Sequence, residues 1–198
     1  MRTVVKAKLE VNNVTTVNRR RQKQWAITKE KYLSVSEYGA LRAHVRHRKS
    51  RYAILLKLYM FTAARAQEGL AVRMQDLDTD NKTVLIRGLK GSADREIPLP
   101  PWYFFELLSY AKKICKSVED RIFPFCYTIL NRIWRFYRPV KKRFHSLRHT
   151  LAIKVFQSTR DIKLVQTLLG HRSIKNTMVY LDYIYSIEEM RKILKVKY

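Results

Sequence analysis

Hydrophobic positions along the 198-residue chain change period several times, and each change marks an element. Val5, Ala7, Leu9 and Val11 alternate with Lys6, Lys8, Glu10 and Asn12, a period of two that predicts a short strand or extended arm. Ser34 and Glu37 form the Ser-x-x-Glu pattern of a capping box ahead of Tyr38, Leu41 and Val45, so a helix starts near Ser34. An apolar run from Ala53 to Ala64 predicts a mostly buried helix ending at Arg65. Thr83 to Arg87 and Arg95 to Leu99 read as two strands joined by a turn over Gly88 to Asp94, a β-hairpin. From Trp102 to Tyr137 the chain is rich in aromatic and aliphatic residues at helical spacing, which predicts core. Leu147, Leu151, Ile153, Val155 and Phe156 mark a further helix. Asp161 opens another through Ile162, Leu164, Val165, Leu168 and Leu169, and Gly170 stops it. A short helical stretch follows from Ser173 to Tyr180. Ile187, Met190 and Leu194 close the chain as an amphipathic helix whose stripe is expected to pack on its own domain.

The predicted class is α+β, mainly α-helical with a small antiparallel β-hairpin or sheet. With 46% hydrophobic residues the chain can bury a core in one domain, taken as residues 31–198, preceded by a basic arm or linker over 1–30. Charge changes this picture most. Lys and Arg number 41 against 16 Asp and Glu, a formal net charge of +25, so a polyanion is the expected partner and nucleic acid the leading candidate. An anionic membrane is disfavoured, because no long uncharged apolar stretch exists and Arg2, Lys6 and Lys8 interrupt the N-terminus. A soluble, cytoplasmic, DNA-associated protein is expected. Arg19, Arg20, Arg21 and Lys23 are either a solvated linker or an arm along phosphates. Two cysteines, Cys115 and Cys126, are too few for a disulfide framework and are expected as small buried residues. A glycine-rich phosphate loop and a metal-spaced Asp/Glu/His cluster are both missing from the sequence, so no cofactor or metal is expected.

Candidate chemistry concentrates at the C-terminal end. His145 and Arg148 lie three apart at the start of a helix and project from one face, where they can meet a phosphate. Leu169-Gly170-His171 follows, with Tyr180 nine positions beyond that histidine. These elements resemble the catalytic end of the tyrosine recombinases, the lambda-type or Xer-type phage integrases. Upstream, Arg65-Ala66-Gln67-Glu68 resembles the first arginine box of that family, with Ala63-Ala64 where Gly-Leu or Gly-Met is usual. Lys90-Gly91, followed by Arg95 and Ile97-Pro98-Leu99, resembles the hairpin that carries the family's catalytic lysine, with Ala93 where a second lysine often stands. Many members carry a separate DNA-clamping domain ahead of the catalytic one. Here there is no room for it, which fits either a recombinase reduced to its catalytic domain or a fragment that has lost its clamp.

The resemblance implies a metal- and ATP-independent transesterification. Arg65 and Arg148 would hold the non-bridging oxygens of a phosphodiester as guanidinium forks, a geometry that lysine cannot reproduce. His145 and His171 would donate hydrogen bonds to the same oxygens, and His145 is placed to accept the tyrosine proton. Lys90 would protonate the departing 5′ oxygen, and Tyr180 would become a covalent 3′-phosphotyrosine. Tyr183 and Tyr185 compete for that last role, but Tyr180 has the family's distance from His171. Arg95, Lys141, Lys142, Arg143 and Arg172, with Arg19 to Arg21, are expected at DNA phosphates. Double-stranded DNA is the implied partner, bound by a free monomer or weak oligomer that forms a tetramer on two sites. A type IB topoisomerase and a non-catalytic basic DNA- or RNA-binding protein are the alternatives.

Overall fold

The computed structural model describes residues 27–89, 91–183, 185 and 187–195. Two helices open it. Helix α1, Val35–Arg46, carries the expected capping box: Ser34 Oγ accepts from the Glu37 N–H, and the Glu37 carboxylate accepts from the Ser34 N–H. It buries Tyr38, Leu41 and Val45, one helical stripe. Helix α2, Arg51–Thr62, is capped by Ser50 and buries Ala53 to Met60, including Lys57, the one charge in this apolar run, which pairs with Glu106 at 2.8 Å. It ends at Ala63, whose φ of 50° is left-handed. The short helix α3, Ala66–Leu70, then starts at Arg65.

A three-stranded antiparallel sheet follows: β1, Leu77–Asp78, β2, Thr83–Ile86, and β3, Arg95–Pro98, in the order β1-β2-β3. The expected hairpin is β2 and β3, with Ile86 opposite Arg95 and Val84 opposite Ile97. Strand β1 adds an edge too short for a period-of-two pattern to show. Val84, Ile86 and Ile97 point inward, and alternation places Arg95 on that inward face as well.

Helices α4, Pro101–Ile114, and α5, Tyr127–Tyr137, complete the large core with Tyr103, Phe104, Leu107, Leu130, Ile133, Trp134 and Tyr137. Core was expected throughout this stretch, but Trp102, Phe105 and Phe136 are 52%, 54% and 69% exposed, on the far faces of the two helices. Both cysteines also depart from expectation. Cys126 is exposed at the start of α5 and Cys115 is half-buried, because each lies at a helix end rather than on a packed face.

Helix α6, Ser146–Thr159, and helix α7, Ile162–Leu169, form a second, smaller core with Ala63 and Tyr180. Asp161 caps α7 by accepting from Lys163 and Leu164 N–H groups, and Gly170 ends it at φ 65°. Two 3-10 turns, Ile174–Asn176 and Met178–Tyr183, carry the chain back past α6. The last helix, α8, Ile187–Ile193, leaves its stripe uncovered: Ile187, Met190 and Leu194 are 52%, 42% and 69% exposed. The packing expected for this tail on its own domain is therefore not what the structure has. Among the described residues, no helix is long and apolar enough to cross a membrane.

Candidate active site

The site forms where the two cores meet. Arg148 is 4% exposed on α6, and its fork is fixed by two backbone carbonyls: Nη1 donates to Ala63 O at 2.7 Å and Nη2 to Leu169 O at 2.7 Å. The ends of α2 and α7 thus set its direction. The left-handed turn at Ala63 presents one of those carbonyls, which gives the small residue before Arg65 a purpose.

Arg65 pairs with Glu68 across one helical turn at 3.0 Å. On a surface such a pair contributes a few tenths of a kcal/mol. Here it is a different object, because the Glu68 side chain is fully buried and also faces Arg95 at 2.7 Å and Arg148 at 3.9 Å. Burial pushes the Glu68 carboxyl up, but hydrogen bonds from Arg95 and Arg65 outweigh it and hold the pKa down at about 2. Arg95, expected at DNA phosphates, is instead 5% exposed and occupied by Glu68 and by Leu168 O at 2.7 Å. Its inward register on β3 makes it a support under the site.

The hairpin turn is sewn to the end of α7. Ser92 Oγ accepts from Arg65 Nη1 and donates to Gly170 O at 2.9 Å, and Ala93 N–H donates to Gly170 O at 2.9 Å. Ser92 and His171 also form an isolated bridge. A Cβ on Gly170 would lie 2.8 Å from Ala93 O, so glycine is required there for space as well as for φ. Lys90 itself lies outside the described residues, but its turn is held against Arg65 and His171.

His145 starts α6 and is exposed, while His149, one turn on, is 5% exposed; their rings meet edge to face at 4.6 Å. His171 Nε2 sits 3.3 Å from Arg148 Nη2, and its Nδ1 is 3.0 Å from Thr177 Oγ1. Since arginine can only donate, Nε2 is the acceptor and Nδ1 carries the proton to Thr177. Burial, Arg148 and Arg65 lower His171 to about 4, and burial, His145 and Arg148 lower His149 to about 3; His145 is lowered too, by partial desolvation of its ring against the cleft and by Arg148 and Arg65. All three are neutral at pH 7. Burial, Arg65 and Arg95 likewise pull Arg148 down to about 9, which leaves it charged but short of counter-charge. Three guanidiniums around one carboxylate form a site that an anion would complete.

Tyr180 is 2% exposed, and its hydroxyl lies 2.8 Å from His149 Nδ1. Burial raises its pKa further than Arg148 and Arg65 lower it. The rival Tyr183 donates to Ile27 O and packs on Tyr32, with its pKa pushed up to about 12, and Tyr185 is exposed beneath Arg160. One open cleft of about 980 Å³ is lined by Arg65, His145, Arg148, His149, His171 and Tyr180. It brings together five of the six expected catalytic side chains.

Other expected DNA contacts are scattered. Lys141, Arg143 and Arg172 are exposed. Lys142 turns inward to Glu37 and Tyr32 O, both at 2.7 Å, and clasps α1 to the loop before α6. Arg19, Arg20 and Arg21 lie outside the described residues. Sequence reasoning missed His149, Ser92 and Thr177. His149 had a signal, since it stands four after His145 and so shares its helix face. Ser92 and Thr177 had none, because their partners come from distant segments.

Similar solved structures share this architecture. A crystal structure of XerA recombinase superposes with a TM-score of 0.67 at 22% identity, covering 91% of this chain and 67% of that one. The catalytic domain of bacteriophage HP1 integrase gives 0.59 at 19% identity, covering 82% and 93%. The fold is that of a tyrosine recombinase catalytic domain. Residues 31–186 match the phage integrase family, and the chain belongs to that family. Among its relatives, a tyrosine recombinase of Pseudothermotoga lettingae is 35% identical over 140 residues, 66% of this chain and 49% of that protein. XerH of Helicobacter pylori is 29% identical over 171 residues, 78% and 46% respectively. The chain therefore spans about half the length of these relatives.

Proposed function

We propose that this chain cleaves and rejoins duplex DNA as a site-specific recombinase, through a covalent 3′-phosphotyrosine at Tyr180. The observation that carries this is the convergence of Arg65, Arg148, His145, His171 and Tyr180 on one cleft with excess positive charge. A similar structure, XerH at 24% identity, was captured on its difH DNA substrate before cleavage, which supports DNA as the ligand here.

In this reading the scissile phosphate enters beside Arg65 and Arg148, and its charge relieves the repulsion among the guanidiniums. Preorganised donors aimed at the developing charge lower the barrier, since no solvent must reorganise. The Tyr180 oxygen attacks phosphorus, the bond to the 5′ oxygen breaks, and Lys90 supplies the proton to that oxygen. The phosphotyrosine conserves the bond energy, so a 5′ hydroxyl from another strand can reseal it. The histidines donate to phosphate oxygens in their neutral forms; His171 does so once the anion displaces its Nε2 from Arg148 and its proton moves from Nδ1 to Nε2, leaving Nδ1 to accept from the Thr177 hydroxyl. Residues 31–198 form the catalytic domain, and residues 1–30 form a basic arm ahead of it. The uncovered stripe of α8 supports assembly through a neighbouring copy, giving a tetramer on two sites.

A library of nicked duplexes of randomised sequence tests the proposal. Cleavage beside the nick releases a short strand that cannot return, so the protein remains covalently attached. Adducts from the wild-type chain but not from Tyr180→Phe are expected. Retarded duplexes without adducts would make the chain a binder and end the recombinase reading.

A further inference from the structure

The tyrosine's proton needs a destination. His145 was expected to receive it, yet the nitrogen facing the phenol is that of a different residue. His149 Nδ1 lies 2.8 Å from the Tyr180 hydroxyl, within direct proton-transfer reach. The two groups are 5% and 2% exposed, so bulk water has little access to either. His145 stands on the solvent side, its ring edge-to-face with His149 at 4.6 Å.

We propose that His149 is a catalytic residue: it takes the proton from Tyr180 during cleavage and returns it during rejoining. The assignment rests on the recombinase reading above. In the forward step the Tyr180 O–H bond breaks and the proton passes to His149 Nδ1. The freed electron pair forms the oxygen–phosphorus bond. The phosphorus–5′-oxygen bond breaks with its pair going to that oxygen, which takes a proton from Lys90. Rejoining runs the same steps backwards, with the imidazolium of His149 protonating the departing phenolate.

Neutral His149 with its proton on Nε2 presents a lone pair at Nδ1, the tautomer this geometry requires. Before DNA binds, burial and the positive or protonatable neighbours His145, Arg148, Lys31 and His171 hold it neutral. A phosphodiester set against Arg65 and Arg148 brings a negative charge into that field. The cost of an imidazolium at position 149 then falls, so the base strengthens when substrate arrives. An empty site, by the same reasoning, keeps Tyr180 protonated and unreactive.

The test uses the full chain and the nicked duplex that the wild-type protein captures. His149→Ala and His149→Asn are compared for adduct rate, DNA affinity by gel retardation and thermal melting. Asparagine keeps an oxygen acceptor near the place of Nδ1 but cannot hold a proton. Both variants are expected to retain affinity and to form adduct roughly 10²–10⁴-fold more slowly. If the alanine variant unfolds, the asparagine variant decides. A wild-type rate in His149→Asn overturns the proposal, because holding the hydroxyl would then suffice. A second arm places a fluorinated tyrosine, which ionises more readily, at position 180. The gap between His149→Asn and wild type should narrow, and an unchanged gap overturns the role in proton removal. Absence of any adduct from the wild-type chain removes the recombinase reading, and this assignment with it.

Discussion

Glu68 is the residue on which the charges of the site balance. Its carboxylate is buried against two guanidiniums and lies 3.9 Å from a third, so removing it leaves Arg95 as a buried charge without its counter-ion. Glu68→Gln should destabilise the fold by about 3–5 kcal/mol, read as a lower melting temperature. The pH dependence follows in sign. Its folded pKa, about 2, lies below the ordinary 4.5, so the stabilisation is fully present above pH 4.5 and is lost as pH falls towards 2. A melt series across that window should show a loss of roughly 3 kcal/mol from this group that Glu68→Gln lacks. Arg148 sits on the other side of the balance. Arg148→Ala should abolish adduct formation while sparing most DNA affinity, because it is one of 41 basic residues. Arg65→Lys should also be severe, since an ammonium cannot span the positions of a planar fork. Parallel loss of binding and cleavage in gel and capture assays would count against a catalytic role for either.

At the scale of elements, the site depends on how the β2–β3 turn is fastened to the end of α7. Gly170 is the fastening point: its carbonyl accepts from Ser92 and Ala93, and its Cα leaves no room for a side chain. Gly170→Ala should cost roughly 1–3 kcal/mol through the positive φ and the contact with Ala93 O. It should slow cleavage more than it weakens binding, because it shifts the turn that carries Lys90 relative to Arg65. Equal losses in the capture and gel assays would mean that the turn and the arginine move together. The hairpin was legible from its two apolar runs and intervening glycines. Its attachment was not, since Ser92 and Gly170 are 78 residues apart and nothing local couples them.

For the whole molecule, net charge and exposed apolar surface set the expected behaviour. DNA affinity should fall with salt at a slope of about −0.9 per phosphate neutralised. Deleting residues 1–23 should flatten that slope if Arg19 to Arg21 touch DNA, and an unchanged slope would leave them a linker. The exposed α8 stripe bears on assembly. Deleting residues 186–198 should leave a folded protein, by thermal melt, that binds single sites but fails to form two-site complexes on gels. Loss of folding would instead place α8 in the domain's own core.

His145, Arg148, the Leu169-Gly170-His171 triplet and Tyr180 were readable from the sequence because helix period, capping and fixed spacing are local properties. The family and the order of helices and hairpin followed from them. Tertiary structure decided which charges face the cleft. It buried Arg95 on the inward face of β3, turned Lys142 to Glu37, and set His149 rather than His145 against the tyrosine hydroxyl. Each outcome depends on a partner far away in the chain. Tertiary packing also acts on the whole neighbourhood at once: burial holds His149 and His171 neutral, while the Arg95 and Arg65 hydrogen bonds keep Glu68 ionised against its own burial, and residue type and spacing alone determine neither.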